Sequence, residues 1–232
     1  MKIIQPSVII ESYTPNMTKL IEKMGRLCWR SEDRIEEGSD LKFIEMLKGV
    51  NHSSVLEHGT ISVRFICDRG VTHELVRHRV ASFSQESTRY ANYSKAKFGS
   101  EITVIEPFFF DDRTTGRFAA WRDACESTEK GYMHMLEHGA TAQEARSVLP
   151  NSLKTEIGVT ANVREWRHIL ELRTSNAAHP QIRQIMCPTL TKFREKWPVL
   201  FNDVGSTEHS HPASVTDVNE DFNDNLCNKF GE

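Results

Sequence analysis

Arg77-His78-Arg79-Val80-Ala81-Ser82-Phe83-Ser84-Gln85-Glu86-Ser87-Thr88-Arg89 places three arginines, one histidine, three serines and a glutamine within thirteen positions. Guanidinium groups are permanent cations with forked N–H donors, shaped for phosphate or carboxylate oxygens. Serine hydroxyls and turn backbone add donors for the same oxygens. Val80, Ala81 and Phe83 interrupt the polar run at core-like positions, which predicts a half-buried segment and not a solvated basic stretch. Buried arginines need anionic partners. Glu86 is the one carboxylate on offer here, so the stretch is expected to hold an anionic ligand.

Upstream, Ile61, Val63, Phe65 and Cys67 alternate with Ser62, Arg64 and Ile66, the mark of a strand with one face more buried. Gly70 ends it. Val71 to Arg79 then reads as a short helix with the Arg-His-Arg triplet at its end, running into loop. Nearer the start, Ser7–Glu11 reads as a strand, Thr14-Pro15 opens an amphipathic helix to about Trp29, and Ser39 caps a second helix. Downstream, Glu101–Glu106 is a strand candidate. Phe118, Trp121, Cys125, Thr128, Tyr132 and Met135 recur at intervals of three and four, predicting the longest helix over about 113–138. Leu153–Thr160 reads as strand, Asn162 caps a helix bearing Arg164, Arg167, His168 and Arg173, and His179-Pro180 opens another. Strands mixed with helix-rich stretches, without regular βαβ alternation, point to an α+β fold. Neither a G-x-G-x-x-G nor a Walker loop is present, so a dinucleotide would not bind through a Rossmann fingerprint. From residue 204 large apolar side chains are few and the balance is acidic, so a folded domain over 1–203 and a mobile tail over 204–232 are expected.

A net charge of −3 over 232 residues argues against a general nucleic-acid binder. No apolar run is long enough for a membrane span, and Met1-Lys-Ile-Ile-Gln-Pro6 lacks the features of a signal peptide, so a soluble, cytoplasmic protein is expected. Cys28, Cys67, Cys125, Cys187 and Cys227 are widely spaced with no C-x-x-C, against a disulfide framework or structural zinc. The first four read as core residues, and the central stretch contains no thiol nucleophile. The spacing of His52 and His58 matches no known metal-ligand run; His134 and His138 stand i, i+4, the geometry of a two-histidine metal face, but no Glu follows His134 as in H-E-x-x-H, and no metal is expected. Arg164 stands at a helix start, where positive charge is disfavoured, which is understandable if it faces an anion.

Arg77, His78, Arg79, Ser82, Ser87 and Arg89 match R-H-R-x-x-S, four residues, then S-x-R, and in this the chain resembles the flavin-dependent thymidylate synthases. Further ordered motifs of that family are matched by Ser31, by His52 with Glu57-His58, by Ala145-Arg146 with Leu149-Pro150, and by Asn162-Val163-Arg164, His168 and Leu172-Arg173. Two positions depart from some members: Glu74 stands where glutamine often occurs, and His168 where asparagine can. The resemblance implies a mixed or antiparallel sheet with packed helices. It also implies methylation of deoxyuridine monophosphate (dUMP) at C5, with methylenetetrahydrofolate as carbon donor, reduced FAD as hydride source and NADPH regenerating the flavin. It assigns Glu74, Arg77, Gln85, Glu86, Ser87, Thr88, Arg89, Arg146 and Arg173 to the nucleotide, Arg173 being catalytic. To FAD it assigns Ser31, Ser54, Arg77, His78, Arg79, Gln85, Asn162, Arg164 and His168, with His52 elsewhere in the active site. A homotetramer with shared active sites is implied too. Two competing classes are an RNA- or polyanion-binding module and a metal-dependent phosphohydrolase using His52, His58 and His78. Net acidity and the lack of aromatics interleaved with basic residues weigh against the first. The second needs carboxylate ligands, and only Glu57 is well placed.

Overall fold

Ile61, Val63, Phe65 and Cys67 are buried along a strand, Thr60–Asp68, in the computed structural model, which describes residues 1–110 and 112–219. In chain order the strands are β1 (Lys2–Ile4), β2 (Ser7–Tyr13), β3 (Thr60–Asp68), β4 (Ala81–Gln85), β5 (Thr103–Ile105), β6 (Lys154–Asn162) and β7 (Ser214–Asp217). The helices are α1 (Met17–Leu27), α2 (Ser39–Gly49), α3 (Arg69–Leu75), α4 (Gly116–Glu137), α5 (Ala142–Ala145), α6 (Val163–Arg173), α7 (Pro180–Lys196) and α8 (Pro198–Phe201). One sheet runs β4-β6-β3-β2-β7. β1 pairs with β5 in parallel, Lys2 opposite Thr103, and Val104 and Leu153 form an antiparallel bridge. The fold is α+β, as the mixed pattern of periods predicts.

The chain divides into two compact units, each drawn from several separate stretches. The first comprises residues 1–7, 65–77 and 84–157; the second comprises 8–64, 78–83 and the chain from 158. The division falls inside β2, β3, β4 and β6 and between Arg77 and His78, so no linker composition marks it. In the first unit α4 contributes Cys125 and Tyr132 to a core with Tyr93, Ile102, Val104 and Leu153. A capping box starts α5, where the Thr141 N–H donates to the Glu144 carboxylate at 2.8 Å. In the second unit Val8, Ile10, Ile21, Ile44, Ile61, Trp166, Ile185 and Phe193 are among the fully buried side chains.

Four expectations change. Helix α3 stops at Leu75, so the Arg-His-Arg triplet lies in a turn, and the expected loop after it is strand β4. As the first strand in the sheet order, β4 buries none of its residues completely, which is why its apolar signal is weak. The segment is also less buried than Val80 suggests, since Val80 is 64 % exposed and Arg77, Arg79 and Arg89 face solvent. Cys28, expected in the core, is exposed just past the end of α1, whereas Cys67, Cys125 and Cys187 are buried. Finally, the segment from 204 carries β7 beside β2, with Val204, Ala213 and Asp217 buried and Lys196 paired to Asp217 at 2.7 Å. A four-residue strand reading Ser-Val-Thr-Asp has one large apolar side chain, too few to announce itself. The remainder of that segment, with Cys227, lies outside the described residues. Among the described residues no helix is long and apolar enough to cross a membrane.

Candidate functional site

Asn162 ends β6 and caps α6, its side-chain oxygen accepting the Glu165 N–H at 2.8 Å. The Val163 N–H donates to the Gly59 carbonyl at 2.9 Å, and the Trp166 indole donates to the Ile61 carbonyl at 2.9 Å. Val163, Trp166, Ile169 and Leu170 are buried. This anchoring of α6 on the start of β3 sets the positions of His168 and Arg173 within the second unit.

His78 is the inward residue of its turn, 5 % exposed between the two outward arginines. Its Nε2 accepts a hydrogen bond from Arg173 Nε at 3.0 Å. Its ring meets His168 edge-on, centroids 5.8 Å apart, and Glu165 Oε1 stands 3.7 Å from its Nδ1. Burial, then the Arg173 charge, then His168, push the His78 pKa down to about 4. Although Glu165 could pair with a charged imidazole, a nitrogen that accepts from Arg173 cannot carry a proton, so His78 is neutral at pH 7. Two distant motifs, the Arg-His-Arg turn and the end of α6, thus meet through one hydrogen bond.

The other two arginines of α6 have protein partners. Arg164 pairs with Glu57 at 2.6 Å, so Glu57 is the anion its position at the helix start calls for. Arg167 binds Asp203 at 2.7 and 2.9 Å and also the Leu200 carbonyl, and this contact holds the Asp203 carboxyl below the usual carboxylate range. Ser31 and His52 line one cavity of about 720 Å³ with Arg26, Trp29, Arg34 and Met46. The Trp29 and His52 rings stack there, centroids 5.8 Å apart and 16° from parallel. Ser54 is exposed on the helical turn Ser53–His58.

In the first unit the residues assigned to a nucleotide cluster around the end of β4. Gln85 is committed to Thr72 and Thr155, donating to their hydroxyls at 3.0 and 3.3 Å. Glu86 pairs with Lys154 at 3.2 Å and not with the motif arginines. Ser87 Oγ accepts the Arg89 N–H at 3.3 Å, and Arg146 donates to the buried Thr88 hydroxyl at 3.4 Å. The Arg89 guanidinium lies over Tyr90 at 5.3 Å. Arg77 follows α3, its N–H bonded to the Glu74 carbonyl at 3.3 Å. Arg77, Arg79, Arg89 and Arg146 have no carboxylate partner among the described residues. These are fixed cations turned to solvent, as anion binding requires.

Glu165, Trp29 and Lys154 escape a reading of the sequence. Glu165 follows a helix cap, where acids are ordinary, Trp29 ends an amphipathic helix, and Lys154 begins a strand. Among the described residues no group of three or more His, Cys, Asp or Glu converges as metal ligands.

Solvent-facing guanidinium groups without carboxylate partners among the described residues, and a buried neutral imidazole bonded to another arginine, are the charged features this α+β protein presents. Residues 9–199 match the family model described as thymidylate synthase complementing protein. The chain is 30 % identical over 206 residues to the flavin-dependent thymidylate synthase of Geobacter sulfurreducens, covering 85 % of this chain and 86 % of that one. It is 34 % identical over 195 residues to that of Corynebacterium aurimucosum, covering 79 % and 78 %. Among solved structures it is similar to thymidylate synthase X from Helicobacter pylori with FAD and dUMP, at a TM-score of 0.70 and 25 % identity over 88 % of this chain and all of that one. A UMP/dUMP methylase of Streptomyces cacaoi bound with 5-Br dUMP shares the fold, with a TM-score of 0.73 at 24 % identity over 87 % and 96 %. This chain belongs to the thymidylate synthase complementing protein family, that of the flavin-dependent thymidylate synthases.

Proposed function

We propose that this protein converts dUMP to thymidylate, with methylenetetrahydrofolate supplying the carbon, FAD the hydride and NADPH the electrons that restore the flavin. The observation that carries the reading is the Arg173–His78 hydrogen bond at 3.0 Å, which joins two motifs 95 positions apart in the chain. Solvent-facing arginines suit the nucleotide phosphate, which would be held by Arg77, Arg89 and Arg146 with Ser87. Glu74 would meet sugar hydroxyls or base N–H groups, since a carboxylate repels phosphate. Gln85, Glu86 and Thr88 would shape the wall through their bonds to Thr72, Lys154 and Arg146.

The donor set of the second unit fits FAD. Arg79 is an exposed cation with no partner among the described residues, suited to a pyrophosphate, and His168 is an exposed imidazole suited to a ring edge. Ser31, Ser54, Asn162, His78 and Arg164 would complete it, and His52 would border the cavity shared with Ser31. When bound, FAD supplies the reducing equivalent that completes the methyl group. Arg173 would face the uracil N3–C=O edge. A guanidinium there favours the ionised ring and makes C5 a better nucleophile toward the one-carbon unit. Two further parts of the proposal are a homotetramer whose active sites draw on several chains, and a cytoplasmic location.

The visible spectrum of the purified protein tests the reading cheaply. Flavin absorption that shifts on adding dUMP is the expected result. A protein that neither retains nor takes up FAD would overturn it.

A further inference from the structure

We infer that Glu165 and His78 are positioning residues for Arg173: a carboxylate–imidazole–guanidinium chain that fixes which way the Arg173 guanidinium points. This rests on the reading that Arg173 binds the nucleotide. Three observations carry it. Arg173 Nε donates to His78 Nε2 at 3.0 Å. The Glu165 carboxylate stands 3.7 Å from Nδ1 on the opposite side of the same ring. His78 itself is 5 % exposed, so its ring orientation is set by packing, and His168 braces it edge-on.

The chemistry follows from the donor inventory. A neutral imidazole carries one proton, and a carboxylate near Nδ1 favours the tautomer with the proton on that nitrogen. The lone pair on Nε2 is then available to the Arg173 Nε–H. A guanidinium is planar with five N–H donors in a rigid fork. Holding Nε–H therefore fixes the plane in which the two terminal nitrogens lie, and these are the groups that would form a paired contact with a uracil carbonyl edge. Glu165 sits in the first turn of α6 and Arg173 in the last, so one capped helix carries both ends of the chain. Pre-orientation of this kind lowers the ordering cost that a flexible arginine meets on binding.

The test is a double-mutant cycle on dUMP affinity in the flavin-loaded protein, using His78→Phe, His78→Gln, Glu165→Gln and Arg173→Ala. His78→Phe should weaken dUMP binding by roughly tenfold or more, the scale of a lost hydrogen bond to a charged group, and Glu165→Gln should weaken it measurably but less, since the carboxylate acts on Nδ1 across 3.7 Å. His78→Gln, whose side-chain carbonyl can still accept from Nε, should weaken it less than His78→Phe. Either change placed on Arg173→Ala should cost no more than about twofold further, because the group they act through is gone. Full additivity in a protein that binds dUMP would overturn the positioning role alone. A wild-type protein that binds FAD but no dUMP would instead overturn the reading beneath it. Imidazole nitrogen NMR shifts of the wild type give a second, variant-free test. They should show His78 protonated on Nδ1 at pH 7, and the Nε2–H tautomer would refute the proposal.

Discussion

Replacing His78 by glutamine should flatten part of the acid dependence of stability, by an amount that follows from the surroundings of the ring. His78 is nearly fully buried, and its pKa is pushed from an ordinary 6.5 down to about 4 by burial, Arg173 and His168, in that order. Because the folded value lies below the unfolded one, the unfolded chain takes up a proton first as pH falls. The stability that the neutral ring supports is present in full above pH 6.5, declines through the window down to about 4, and is lost below it. A tenfold difference in proton affinity between the two states corresponds to about 1.4 kcal/mol, so the whole window is worth about 3 kcal/mol. Glutamine does not titrate. His78→Gln should cost stability at pH 7 through lost packing, but the gap to wild type should close by about 3 kcal/mol, or reverse, on going to pH 4. Urea unfolding of both proteins at matched flavin and protein concentrations, at pH 7 and at pH 4, measures this. A gap that stays constant within about 0.5 kcal/mol would refute the reasoning, since His78 would then titrate alike in both states.

Arg173→Ala should lower thymidylate formation by at least ~100-fold, the scale of one lost electrostatic donor, while flavin stays bound; turnover near the wild-type rate would remove Arg173 from the chemistry. Gly59→Ala should destabilise by about 1–3 kcal/mol, an overpacking cost, because the new Cβ would lie 2.6 Å from Met17 Cγ and 3.1 Å from Val163 Cγ2. Gly59 has φ −92°, which alanine adopts freely, so backbone strain adds nothing to the effect measured by thermal unfolding. Truncation after Val204, harmless if the segment were a mobile tail, should instead give an aggregation-prone protein, because it strips β7 from the edge of β2. Light scattering against the full chain checks this, and an unchanged, monodisperse product would contradict it.

Much of the fold is legible in the sequence because its signals are local. Thr60 to Cys67 alternates cleanly, and Asn162 and His179-Pro180 carry helix-start chemistry that the structure reproduces as caps at α6 and α7. What is not legible depends on partners far along the chain. Strands β4 and β7 lie at the two ends of the sheet order, and neither reads as a strand in sequence, since edge strands need bury only a few side chains. The expected site divides in the same way. Residue types at Arg77, His78 and Arg173 raise the expectation of a site for anions, but do not show that Arg164 is claimed by Glu57, Glu86 by Lys154 and Gln85 by two threonines. Nor does spacing show that His78 and Arg173, 95 positions apart, share a hydrogen bond.

The most direct measurement of the central claim is chromatographic detection of thymidylate after the purified, flavin-loaded protein is incubated with dUMP, methylenetetrahydrofolate and NADPH under anaerobic conditions. The account predicts thymidylate in amounts exceeding the enzyme, with formation abolished when either FAD or the folate is left out. Flavin-loaded protein that binds dUMP yet releases no thymidylate would contradict it.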